Sequence, residues 1–315
     1  MKLVEINPIN QRKLFNYDNL FLKIVNLHNQ KKLPNKIIFS GSKGIGKSTF
    51  AYHLINFIFS KDEKFQYNLN NFEINNSNRS HNLILNNTHP NFYLIDLLDE
   101  KKVIEISQIR EMINYANKSA LNNKERIILI DNAEHLNLNS SSALLKIVEE
   151  PNDNIFFIFI FDNSKKILET LNSRCLKFNF FLTFKETINI TNNIINDDVY
   201  NIFNKNLNNH YNTVGDFINL INFSLSLNYD LSKVNLKDFL TDAIDEKFYK
   251  KDFYIKQNIF KYIEFYFLSL IKMNTSKKNL SLLYENFIKK IYNLKKFNLD
   301  EESFFIDFKT NILNG

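Results

Sequence analysis

A parallel α/β domain followed by an all-helical region is the architecture that this 315-residue sequence predicts. Three observations predict it. Short continuous apolar runs such as "KIIFSG" (36–41) and "NIFFIFIF" (154–161) read as strands buried on both faces of a sheet. They alternate with segments of helical spacing, the rhythm of β–α–β units. After about residue 181 that rhythm stops and only helical patterns remain.

The elements follow in order. Residues 14–30 have helical apolar spacing and end in the basic turn "KKLPNK". The strand 36–41 leads into a glycine-rich loop and the helix "STFAYHLINFIFS". From about 61 to 90 the chain is polar and Asn-rich, and reads as a connection or partly ordered insertion. "NFYLIDL" is the next strand, "ISQIREMINYANKSA" an amphipathic helix and "ERIILIDN" a further strand. "SSSALLKIVEEP" is a short helix stopped by Pro151, before the strand at 154–161 and a last short one, "LKFNF". Beyond it, modest helices over 184–198, 214–226 and 234–246 precede two longer ones, 256–273 and 279–297. In the first long helix Ile259, Ile263, Phe267 and Leu270 recur at three- and four-residue steps and form one apolar face. Breaks near 180 and 232 divide the chain into 1–180, 181–231 and 232–315.

Composition narrows the chemistry. A single cysteine, Cys175, excludes an internal disulfide and a four-thiolate zinc site, so no zinc is expected. No apolar stretch approaches the roughly 20 residues of a spanning helix, and the N-terminus breaks its apolar run at once. These features fit a cytoplasmic protein without a membrane partner. The net charge of +6 permits a nucleic-acid partner without requiring one. Only five glycines occur, so each one is informative.

Three of those glycines lie in "GSKGIGKS", residues 41–48, which satisfies G-x-x-x-x-G-K-[ST] between a strand and a helix. Gly41, Gly44 and Gly46 let the backbone, with Ile45, wrap a phosphate, while loop amides and the helix N-terminus donate to it. Lys47 would reach the outer phosphates, and Ser48 or Thr49 would help hold Mg²⁺. "RIILIDNAEHL" then brings Asp131 to the end of a buried strand, a second Mg²⁺ position. An acid that positions the attacking water is usual directly after such an Asp. Here that place is Asn132, and the next acid is Glu134.

The succession "KLPNKIIFSGSKGIGKSTFAYHL", "RIILIDNAEHLNLNSSSALLKIVEEP" and "LNSRC" resembles the bacterial clamp-loader subunits of the AAA+ ATPase superfamily, most of all the delta-prime group of DNA polymerase III. The resemblance is dense over 31–178; the remainder matches only in size and helical character. It implies an AAA+ P-loop NTPase domain, a small helical lid domain and an all-helical C-terminal collar. It also implies ATP and Mg at Gly41 to Thr49 and Asp131. Arg174 of "SRC" would reach in trans into a neighbouring subunit's ATP site, where a planar guanidinium suits phosphate oxygens. The implied partners are delta and tau/gamma subunits in a hetero-pentameric ring, the sliding clamp, and primed DNA through the complex. Active tau/gamma-type turnover, or a scaffold with a vestigial loop, are the alternative roles.

Several features depart from that group. The four-cysteine zinc module common in delta-prime subunits cannot be built, and the Asn-rich region stands in its place. Phe161-Asp162 replaces a small polar sensor residue, and "VGDFINLINF" lacks the arginine that motor subunits place after its glycine. Together with Asn132 these changes imply a subunit that binds nucleotide and hydrolyses little. His53, His81 and His89 are too irregularly spaced for a metal site. Glu149 and Glu150 have no acid–base geometry legible in sequence. The basic clusters 30–32 and 289–296 read as solvent-facing or as DNA contacts, the aromatic run "YIEFYFLSL" as core, and His135 as structural.

Overall fold

The computed structural model describes residues 3–5, 7–98, 101–118, 124–150, 154–166, 169–208, 211–273, 277–297 and 299–314. The chain forms two compact units. One comprises 5–191 with 213–216, and the other 1–4, 192–212 and 217–315.

In the first unit, α1 (Asp18–Asn29) precedes β1 (Lys36–Gly41) and α2 (Lys47–Phe59). Then come α3 (Arg79–Leu85), β2 (Phe92–Ile95), α4 (Ile106–Asn117), β3 (Arg126–Ile130) and α5 (Leu138–Glu149). β4 (Ile155–Asp162), the single turn α6 (Glu169–Asn172), β5 (Leu176–Asn179) and the start of α7 (Phe184–Ile195) complete it. The strands make one sheet of order β2-β3-β4-β1-β5, parallel at every pairing. Parallel strands need crossovers, and the helices that supply them cover both faces.

Alternation along each strand divides the core in two. Ile37, Phe39, Leu129, Ile158 and Ile160 meet α1 and α2 through Phe21, Phe50 and Leu54. Ile38, Ile128, Ile130, Phe157 and Phe159 face α4 and α5 through Ile109, Met112, Leu144 and Val148. The expected parallel α/β P-loop architecture is therefore present, with all C-terminal strand ends on one edge. The helix stop expected at Pro151 lies outside the described residues.

The Asn-rich region is better built than its composition suggests. It contains α3, capped by Asn78, whose side chain accepts from the His81 amide. The Leu14 amide donates to the Phe72 carbonyl and the Ile74 amide to that of Arg12, tying the region to the N-terminal segment. His53 on α2 is fully buried, with Nδ1 2.9 Å from the Tyr67 hydroxyl and Nε2 3.1 Å from the Gln11 carbonyl. Burial holds its imidazole down at about 4. His89 stacks on Phe59. These histidines act as structural pins, and no cluster of three or more His, Cys, Asp or Glu residues able to hold a metal occurs among the described residues.

The second unit holds the rest of α7, then α8 (Val199–Ile202) and most of α9 (Val214–Leu227). It continues through α10 (Leu236–Asp245), α11 (Phe248–Lys251), α12 (Phe253–Met273), α13 (Lys277–Phe297) and α14 (Glu301–Phe308). Aromatic rings fill its core, including Phe223, Phe239, Tyr262, Phe267 and Phe305. The run "YIEFYFLSL" thus contributes core side chains. In the basic stretch 289–296, Lys290 pairs with Asp307 and Lys296 lies over Tyr292 and Phe297. No helix among the described residues is long and apolar enough to cross a membrane.

Candidate nucleotide-binding site

The loop between β1 and α2 is shaped by its glycines. Gly44 and Gly46 have φ of +83° and +92°, the left-handed region that glycine enters without steric cost. A Cβ on Gly41 would lie 2.7 Å from both the Ile45 side chain and the Phe180 carbonyl. Ile45 is buried beneath the loop, and its carbonyl accepts from the Tyr17 hydroxyl at 2.9 Å.

Lys47 opens α2 with its side chain only 6% exposed, and its Nζ donates to the Gly41 and Ser42 carbonyls at 2.7 Å each. Burial lowers its pKa, while the carboxylates of Asp162, Asp131 and Glu134 act to keep it charged. Ser48 donates to Asp131 Oδ2 at 2.6 Å, so the two expected metal-side oxygens meet. Thr49 sits half-buried in the same turn. Desolvation, and then the neighbouring Asp96, push the half-buried Asp131 carboxyl up to about 6, against the pull of Ser48 and the Asn132 amide. A divalent cation would relieve that crowding of negative charge.

Asn132 has its side chain engaged at the edge of this cluster. It adopts φ of +53°, and its Nδ2 donates to Asp96 Oδ1 at 2.6 Å, at the end of the neighbouring strand. Glu134, which also lies in the field of Lys47, is engaged as well, its Oε2 accepting from the Asp162 amide at 3.1 Å. Asp162 ends β4 in register with Gly41 and caps the next turn through the Ser164 amide.

Arg174 lies beyond α6, apart from the loop residues. Its Nη2 pairs with Glu149 Oε1 at 2.8 Å, and its Nη1 donates to the Thr170 carbonyl at 3.0 Å. Its side chain remains 38% exposed. Beside it, burial pushes the half-buried Cys175 thiol up to about 11, which favours its protonated form.

A family model described as DNA polymerase III, delta subunit, matches residues 17–183, more than half of the chain. The chain belongs to that family. A delta' subunit of DNA polymerase III from Pseudomonas aeruginosa is 28% identical over 95 residues, covering 30% of this chain and 29% of its own length. The delta' subunit from Buchnera aphidicola subsp. Schizaphis graminum is 28% identical over 192 residues, covering 60% and 56%. A gamma/tau subunit from Mycoplasma genitalium is 31% identical over 173 residues, covering 55% and 28%. The chain therefore spans between about a quarter and just over half the length of these relatives. Among solved structures, a gamma subunit-related protein of DNA polymerase III from Thermotoga maritima aligns with a TM-score of 0.47 at 15% identity, covering 94% and 97%.

In this member of the DNA polymerase III delta subunit family, three site features escaped the sequence reading. Tyr17 buttresses the loop from the N-terminal side, packed edge-on against Phe50 and Phe180. Gly215 is the second: its amide donates to the Gly44 carbonyl at 2.9 Å, and a Cβ on it would lie 2.9 Å from Gly44 Cα. With only five glycines in the chain, a fourth one outside the loop motif was a usable signal. Glu149, the partner of Arg174, carried none, because the pairing is purely tertiary.

Proposed function

We propose that this chain is a delta-prime-like clamp-loader subunit of DNA polymerase III, helping to place the sliding clamp on primed DNA in the cytoplasm. It would act in a hetero-pentameric ring with delta and tau/gamma subunits. Residues 1–180 would form the AAA+ domain, 181–231 the lid and 232–315 the collar. Exposed Leu282, Tyr292 and Phe297 on α13 give that last region apolar surface for subunit contacts.

The loop is suited to hold ATP with Mg. Gly41, Gly44, Ile45 and Gly46 supply backbone around the phosphates, Lys47 the cation, and Ser48, Thr49 and Asp131 the oxygens on the metal side. Mg held by those oxygens would supply positive charge beside the phosphates. Asn132 carries the reading of weak turnover: its amide is spent on Asp96, and an amide accepts no proton from water. Chemistry in this subunit would instead be offered outward through Arg174, standing partly exposed at the domain edge.

The test is ATP turnover by the purified chain, by its partners, and by the assembled complex. The chain alone is expected to bind ATP and hydrolyse it slowly. Arg174→Ala is expected to cut the complex's turnover by ~10³ or more, the lower end for an arginine supplied in trans. Strong turnover by the chain alone would assign it to the tau/gamma type instead. Unchanged turnover with Arg174→Ala would remove the trans arginine.

A further inference from the structure

The guanidinium of Arg174 is held in a bracket built from two elements. α5 contributes the carboxylate of its last residue, Glu149, at 2.8 Å from Nη2. α6 contributes the Thr170 carbonyl at 3.0 Å from Nη1, and Ser173 Oγ follows at 3.4 Å. The backbone of Arg174 is fixed as well, its amide donating to the Leu171 carbonyl. Lys36 Nζ reaches the Glu149 carbonyl at 3.2 Å, so a second cation sits at the same helix end.

The three acceptors of Arg174 are not equivalent. Thr170 and Ser173 offer neutral oxygens, and their bonds cost nothing in charge when an anion arrives. Glu149 offers an anionic oxygen to Nη2, and its own side chain is 49% exposed. A carboxylate and a terminal phosphate are competing ligands for one guanidinium, since both can present a pair of anionic oxygens to its paired N–H donors. An exposed pair of this kind is weak, and so it is exchangeable.

We propose that Glu149 is the resident counter-ion of Arg174, occupying the place that a terminal phosphate of a neighbouring subunit's nucleotide takes on assembly. This rests on the reading of Arg174 as an arginine supplied in trans. Glu149 is a positioning residue: it keeps the fork outside the domain and aligned, and it must give up Nη2 before phosphate can take it. Thr170 and Ser173 keep Nη1 throughout the exchange. The charge on Glu149 therefore sets how readily this subunit engages its neighbour's nucleotide, without entering the reaction.

The experiment titrates the full-length chain into its ATPase partner subunits and follows ATP turnover. Glu149→Gln retains an acceptor oxygen and removes the charge. The half-saturating concentration of the chain should fall about two- to fivefold, the range an exposed ion pair commands, with the maximal rate unchanged. Glu149→Asp keeps the charge but shortens the side chain by a methylene, and should shift the half-saturation less than Glu149→Gln does. On an Arg174→Ala background, Glu149→Gln should have no further effect. An unchanged half-saturation, a lowered maximal rate, or the same shift on the Arg174→Ala background would overturn the counter-ion role while leaving the trans arginine standing. A full maximal rate with Arg174→Ala alone would remove both.

Discussion

Helix α2 buries two basic side chains, and the fold treats them in opposite ways. Lys47, in its first turn, meets the carbonyls of Gly41 and Ser42 and lies in the field of Asp162, Asp131 and Glu134. His53, two turns on, meets only a phenol and a carbonyl, and burial leaves its imidazole neutral. Burial lowers both pKa values, but only at Lys47 do acids oppose it. The loop end of the helix is built to carry charge and the insertion end to exclude it. At the Lys47 end acids oppose the effect of burial; at the His53 end none does, and the histidine is a structural pin.

Removing the loop cation should have the largest effect. Lys47→Ala leaves three acids without their counter-charge and a phosphate without its donor, a change on the order of 3–5 kcal/mol. Affinity for MgATP should fall about 100-fold or more, read by equilibrium binding. Retention of near wild-type affinity would show that the loop is not a phosphate site.

Acid should act at the opposite end. The imidazole of His53 is held at about 4 in the fold and titrates near 6.5 when unfolded. Its neutral form is thus favoured by folding, with that contribution complete above about 6.5 and lost as pH falls toward 4. Between pH 7 and 5 the folded chain should lose about 2 kcal/mol through this residue. Denaturant titration at the two pH values measures the loss, and His53→Gln should shrink it. The same acid sensitivity in His53→Gln would place its origin elsewhere.

The loop backbone offers a smaller test of the same contrast. Gly44→Ala places a Cβ 2.5 Å from Thr213 Oγ1 at a φ of +83°, a strain of about 1–3 kcal/mol. Its midpoint of denaturation should drop, and adding Thr213→Ala should recover the steric part but not the backbone part. Full recovery would mean that the left-handed φ costs nothing at this position.

Much of this contrast was legible in the sequence at one end of α2 and little at the other. The strand and loop at 36–49 announce themselves because a buried parallel strand is uniformly apolar and a phosphate loop needs glycine at fixed offsets. Asp131 follows from the same logic two crossovers later. The insertion hid its order, since α3 has seven residues and its cap, Asn78, is one asparagine among many. α14 escaped for a similar reason, although Asp300 accepts from the Glu302 and Ser303 amides as a regular N-cap. Pairings such as Gly44 with Gly215, Asn132 with Asp96 and Arg174 with Glu149 join residues far apart in sequence. No local pattern encodes them; only the packed sheet and its crossovers bring them together.

The finest test sits between the two ends of the helix. Tyr17 packs against Phe50 of α2 and against Phe180, while its hydroxyl donates to the Ile45 carbonyl at 2.9 Å. Burial raises its phenol well above the usual range, so it donates at every physiological pH. Tyr17→Phe keeps the ring packing and removes one buried donor, which leaves the Ile45 carbonyl unpaired at a cost of about 1 kcal/mol. Because that carbonyl belongs to the loop, the loss should appear as MgATP affinity lowered by about fivefold at most, with global stability falling by a similar energy. If stability falls while affinity holds, Tyr17 serves the aromatic core alone, and the loop keeps its shape through its glycines and Lys47 without help from the N-terminal segment.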